Sequence, residues 1–121
     1  MYVRSRYIRY GYMPPLTPAV VHVLLALSRG ERHGYAIVKE VLRLTDNRLR
    51  LGPGTLYGTL QRLMESGWVE ESAGPARVVD ERRRHYRLTR NGRDALGAEV
   101  ERLDALVRAA REQRVLPRSP R

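Results

Sequence analysis

Few side chains of this sequence are of a kind that does covalent or metal chemistry. Cysteine is absent, which removes thiolate nucleophiles, disulfides and every zinc site built on sulfur. The histidines, His22, His33 and His85, are scattered with no His-x-x-x-His spacing, so neither a metal nor another cofactor is expected. No Ser/His/Asp order, glycine-rich phosphate loop or paired carboxylates in a cleft can be picked out, and catalysis has no candidate. What the chain has in quantity is cationic hydrogen-bond donors. Its 23 Lys+Arg stand against 13 Asp+Glu, a formal net charge of +10, and every basic residue except Lys39 is arginine. A guanidinium offers a planar fork that grips a phosphate or a guanine edge with two hydrogen bonds. High-GC coding also enriches arginine over lysine, so the ratio alone has two explanations. It does not account for the net charge, which points to a polyanionic partner, most commonly nucleic acid.

The elements that must position those donors follow from length and patterning. A chain of 121 residues fits one domain, and a hydrophobic content of 42% supplies a small core. At that size a lone domain buries only about two thirds of its unfolded surface, so dimerisation would help. Nothing approaches the run of about 18 apolar residues that a membrane span requires. The opening MYVRSRYIRYGYMPP interleaves arginine with tyrosine and lacks the apolar stretch of a signal peptide. A cytoplasmic protein with no membrane contact is expected.

Residues 16–29 read as a first helix, with Thr17 as cap, Pro18 at its first position and Gly30 at its end. Val20, Val21, Val23, Leu24, Leu25 and Leu27 leave it almost no polar face, so a second chain is expected to cover what the protein's own core does not. Residues 33–45 form a second helix, broken by Asp46-Asn47. A third runs from Pro53 to about Ser66 and ends at Gly67, with Leu56, Leu60, Leu63 and Met64 as its buried stripe. Two short strands follow at 68–71 and 84–88; the second alternates Tyr86 and Leu88 against His85 and Arg87. Thr89 caps a last helix over 90–114, in which Leu96, Val100, Leu103, Val107 and Ala110 keep a coiled-coil spacing. The expected fold class is therefore mainly α with a small β-hairpin: a winged helix-turn-helix plus a C-terminal dimerisation helix. Its parts are a basic leader (1–15), the DNA-binding domain (16–89), the dimerisation helix (90–114) and a disordered tail (115–121).

In that arrangement the third helix enters the major groove of double-stranded DNA, and the hairpin lays arginines along phosphates or into the minor groove. The face opposite the leucine stripe carries Gly54, Thr55, Tyr57, Gly58, Thr59, Gln61 and Arg62. The glycines there either let the backbone approach DNA or pack on a neighbouring helix. Tyr57 either donates to a phosphate or anchors the hairpin. His33 and Tyr35 open the second helix, whose positive end attracts phosphate, although Tyr35 serves equally well as packing. Arg82, Arg83 and Arg84 form a candidate wing contact, or else a solvated charge run. Arg4, Arg6 and Arg9 of the leader can follow a minor groove.

Three stretches together carry a resemblance: LGPGTLYGTLQRL over 51–63, His33-Gly34-Tyr35 opening the second helix, and RRHYRLT over 83–89 with Gly92 beyond. In this order and spacing the chain resembles the PadR family of bacterial transcriptional regulators, in its short, single-domain form, over roughly residues 16–106. The resemblance implies a homodimeric repressor on a two-fold operator, dimerising through its first and last helices and released by a small apolar or aromatic effector. The interface and effector pocket would draw on Val20, His22, Leu24, Leu27, Leu96, Val100, Leu103 and Val107. One departure is Gly52, where a serine commonly caps the recognition helix; glycine is weaker there by a few tenths of a kcal/mol. The rival readings are a winged helix that binds protein or structured RNA, and a non-specific, nucleoid-type DNA binder.

Overall fold

Thr17 and Pro18 begin the first helix as their chemistry suits. The Thr17 hydroxyl accepts the Val20 N–H at 3.2 Å, and proline occupies the first turn, where its missing N–H is not needed. This structure, a computed structural model, describes residues 15–72 and 84–117. Arg82 and Arg83, all but the last residue of the leader and the tail from residue 118 lie outside the described residues. Helix α1 spans Pro18–Ala26, shorter at its C-terminal end than the sequence reading, which carried it to residue 29. Its last carbonyls and those just after it are taken by side chains. Arg32 Nε donates to the Ala26 carbonyl at 2.8 Å, and Arg93 Nη2 to that of Ser28 at 2.8 Å. Cationic donors suit the negative end of a helix.

Strand β1 (Arg32–His33) leads directly into α2 (Gly34–Leu44), which ends where Asp46 and Asn47 take left-handed φ of 56° and 64°. Such residues tolerate that conformation, and the Asn47 N–H reaches back to the Leu42 carbonyl at 2.8 Å. Helix α3 (Pro53–Glu65) starts at Gly52 with no side-chain cap and is closed by Gly67 at φ 77°. Strands β2 (Val69–Ser72) and β3 (His85–Leu88) follow, and then the long helix α4 (Arg90–Glu112), capped by Thr89 Oγ1 on the Gly92 N–H at 3.0 Å.

The sheet corrects the expectation of a two-stranded hairpin. It has three antiparallel strands in the order β1-β3-β2, with Arg32 opposite Tyr86 on one side and Glu71 opposite Tyr86 on the other. The strand that was missed is two residues long, too short to show a period.

Helix α1 packs against α2, α3 and α4 of its own chain. Leu24 and Leu27 are fully enclosed there with Ile37, Val41, Leu56, Leu60 and Leu63, and Leu96 of α4 belongs to the same core. This corrects the assignment of Leu24, Leu27 and Leu96 to a surface facing a partner or an effector, because their burial is already supplied within one chain. Each such leucine contributes about 1.5–3 kcal/mol through its removal from water.

Candidate nucleic-acid interface

Helical spacing divides α3 into two faces. Leu56, Thr59, Leu60 and Leu63 are buried, while Gly54, Thr55, Tyr57, Gln61 and Arg62 are exposed and Gly58 is half-buried. Thr59 therefore does not stand on the open face where the sequence reading set it. It lies three residues after Leu56 and four before Leu63, which turns it into the core, and its hydroxyl accepts from Arg62 Nη2 at 3.4 Å. The open face is bare at its glycines. A Cβ built on Gly54 would meet nothing within 4 Å, and one on Gly58 only Arg62 Nη1 at 3.7 Å. Packing on a neighbouring helix is thus not what these glycines serve among the described residues. They leave the backbone of α3 approachable from outside.

The start of α2 lies beside this face. The sequence placed His33 there as a phosphate-side residue; in the fold it is the N-cap, its Nδ1 accepting the Ala36 N–H at 3.3 Å. Its ring also meets that of His85 edge to face, with centroids 5.6 Å apart. Tyr35 is 68% exposed, and Lys39 Nζ lies 5.4 Å from its ring centroid, a cation–π arrangement on the outer surface. Tyr57 is 49% exposed and leans toward α2, where its ring rests on the bare Cα of Gly34. Deeper in, burial first, and then the nearby Glu71 carboxylate, push the Tyr86 phenol above its ordinary range, with Arg84 opposing. Tyr86 is thus held protonated, and its ring closes the sheet over the core.

On the hairpin, acids and arginines pair across strands. Arg87 Nε lies 2.6 Å from Glu70, its register partner, and Arg84 Nε 3.2 Å from Glu71. These pairs are exposed and contribute little to stability, about 0.2–1 kcal/mol each. They hold the base of the wing near neutral, so Arg84 is partly engaged rather than fully open for phosphate. Two cations that the sequence reading passed over stand in the turn before α3: Arg48 and Arg50 are exposed while Leu49 and Leu51 turn inward. The alternation Arg-Leu-Arg-Leu was the available signal.

The remaining residues assigned to an interface or pocket are distributed unevenly. Val20 is half-buried against the core, and His22 Nδ1 hydrogen-bonds the Pro18 carbonyl at 2.7 Å. On α4, Val100 is 44% and Leu106 59% exposed, and Leu103 and Val107 are half-buried. No helix among the described residues is long and apolar enough to cross a membrane.

A family model described as the transcriptional regulator PadR-like family matches residues 23–98, from α1 through the sheet into α4. The chain belongs to the PadR-like family. Its members are DNA-binding transcriptional regulators, not enzymes, and the helix order with its small sheet is their winged helix-turn-helix followed by a long C-terminal helix. The chain is 39% identical over 89 residues to the transcriptional regulator Rv3488 of Mycobacterium tuberculosis, spanning 73% of this chain and 78% of that one. Two solved structures share the PadR fold. A PadR family transcription regulator from Clostridium difficile superposes with a TM-score of 0.66 at 20% identity, over 79% of this chain and 97% of the other. A PadR-like transcription factor from Bacteroides fragilis gives a TM-score of 0.64 at 23% identity, over 93% and 98%.

Proposed function

We propose that this PadR-like regulator is a sequence-specific repressor that acts as a homodimer on a two-fold operator. The observation that carries the reading is the open polar face of α3, bare of side chain at its glycines. Thr55, Gln61 and Arg62 can reach base edges there, and Gly54 and Gly58 let the helix backbone come close. Tyr35, Tyr57, Arg48, Arg50 and the arginines at 82–84 are the flanking groups for phosphate, which fix register without reading sequence. The exposed Val100 and Leu106 of α4, with the apolar edge of α1, provide the surface for the second chain. Two α3 helices about 34–36 Å apart would enter successive major grooves. A small apolar or aromatic effector lodged between the chains beside Val20, Leu103 and Val107 would change that spacing and release the DNA.

The test is fluorescence anisotropy on DNA from upstream of the protein's own gene and on scrambled DNA, at two salt concentrations. The expected result is two chains per site and a preference for the upstream fragment of about 10³-fold or more at the higher salt. Equal, steeply salt-dependent binding to both fragments, followed by no enriched sequence in a random-library selection, would identify a non-specific binder instead. Failure to bind either duplex would favour the protein- or RNA-binding reading.

A further inference from the structure

The second helix begins His33-Gly34-Tyr35, and its glycine has no conformational need to be one. Gly34 is the first residue of α2, is buried, and is not among the residues with positive φ. On backbone grounds alone alanine would serve better there, since glycine in a helix is disfavoured by about 1 kcal/mol. The reason for glycine is spatial. A Cβ at residue 34 would collide with the Tyr57 hydroxyl oxygen, and would lie 3.0 Å from Tyr57 Cζ and 3.3 Å from Leu56 Cδ2. Two of the three nearest atoms thus belong to the one large aromatic on the open face of α3.

We infer that Gly34 is a positioning residue for Tyr57: the missing side chain on α2 is the seat that fixes where the recognition-helix tyrosine stands against DNA. This rests on the reading of α3 as the DNA-reading helix and adds to it a specific coupling between the two helices of the motif. Tyr57 is half exposed, and among the described residues the tip of its ring stands against Gly34. With the seat filled, the hydroxyl end of the ring must shift off Gly34, on the same open face of α3 where Gly54 and Gly58 leave the backbone bare. The same ring that is compatible with close approach when seated would obstruct it when displaced. Leu56 Cδ2, at 3.3 Å, is also tighter than an ordinary contact and must give by a few tenths of an ångström, but the overlap with the Tyr57 hydroxyl is much the deeper.

The test is a double-mutant cycle with Gly34→Ala and Tyr57→Ala, read by operator affinity and by melting temperature in the full chain. In the wild-type background Gly34→Ala is expected to weaken operator binding by about tenfold, a displaced contact of ordinary size. In the Tyr57→Ala background the same change should leave whatever DNA affinity remains within about twofold, and should lower the melting temperature less than in the wild type, since helix propensity and the tight contact with the Leu56 methyl are what is left to act. Gly34→Ala in the Tyr57→Phe background, which lacks the closest colliding atom, should fall between the two. An operator affinity unchanged by Gly34→Ala, or an equal loss of melting temperature with and without the Tyr57 ring, would overturn the inference, because a merely structural glycine behaves additively. Should Tyr57→Ala abolish DNA binding, the melting-temperature arm still decides. A wild type that does not distinguish operator from scrambled DNA would instead count against the functional reading, leaving the stability arm of the cycle to judge the contact itself.

Discussion

At the scale of single residues, the glycines that matter most here are ones that make room. Gly92 shows this as plainly as Gly34. A Cβ at Gly92 would run into the backbone carbonyl of Trp68, with its carbon at 2.9 Å and Leu88 Cδ1 at 2.8 Å. Backbone cannot swing aside as a side chain does. Thr89 ties the same corner, donating its hydroxyl to the Gly67 carbonyl at 2.7 Å while its N–H bonds the Trp68 carbonyl at 3.0 Å. The end of α3, the start of β2 and the first turn of α4 therefore meet at one joint. Gly92→Ala is expected to lower stability by about 1–3 kcal/mol, the ordinary cost of overpacking, although helix propensity alone favours alanine. A denaturant melt checks this, and a variant as stable as the wild type would mean that the joint gives way easily.

Among elements, the loop from α1 to α2 is held by charge as well as by packing. Arg32 of β1 bonds the end of α1 and lies 3.8 Å from Glu40 of α2, and Arg43 grips Glu40 with Nε at 3.1 Å and Nη2 at 2.7 Å. The hydrogen bond from Arg43, and then the charges of Arg43, Arg32 and Arg29, hold the Glu40 carboxyl below its ordinary range against the opposing effect of burial. A depressed carboxylate lends stability that is present above its unfolded value and is lost as the pH falls through its folded one. Glu40→Gln should therefore be less stable than the wild type near neutral pH, and the gap should close in acid; chemical denaturation at about pH 7 and about pH 3 measures it. A gap of the same size at both would show that Glu40 acts through shape and not charge.

The elements with long periodic patterns were legible in the sequence: α2, α3 and α4 begin within a residue of their expected starts, at His33, Gly52 and Thr89 as caps. What escaped was set by tertiary context. Strand β1 exists only because β3 pairs with it. The end of α1 depends on Arg93, distant in sequence. Thr59 is polar, which suggests the open face, but its place in the helix period sets it with the leucines.

For the molecule as a whole, the division of labour follows from where apolar surface is used up. The chain spends Leu24, Leu27 and Leu96 on its own core and leaves Val100 and Leu106 uncovered on the far part of α4. An unbroken seam from Leu96 to Ala110 was a fair reading of the spacing, but burial divides it near Glu99, which is itself enclosed and gripped by Arg102 at 3.1 and 2.7 Å. Charge is divided too. Acidic Glu70 and Glu71 neutralise the base of the wing, while the turn before α3 and its open face carry Arg48, Arg50 and Arg62. The net charge of +10 draws the protein to any polyanion, so affinity alone says little about function, and discrimination between sequences says a great deal. The most direct measurement is therefore the ratio of operator to scrambled-DNA affinity for Arg62→Ala and Arg83→Ala beside the wild type. Loss of Arg62 from the reading face should reduce that ratio by about 1–3 kcal/mol, while loss of Arg83 should weaken both DNAs alike and flatten the salt dependence by about one unit of slope. The reverse pattern, with the ratio intact in Arg62→Ala and reduced in Arg83→Ala, would contradict α3 as the element that reads sequence.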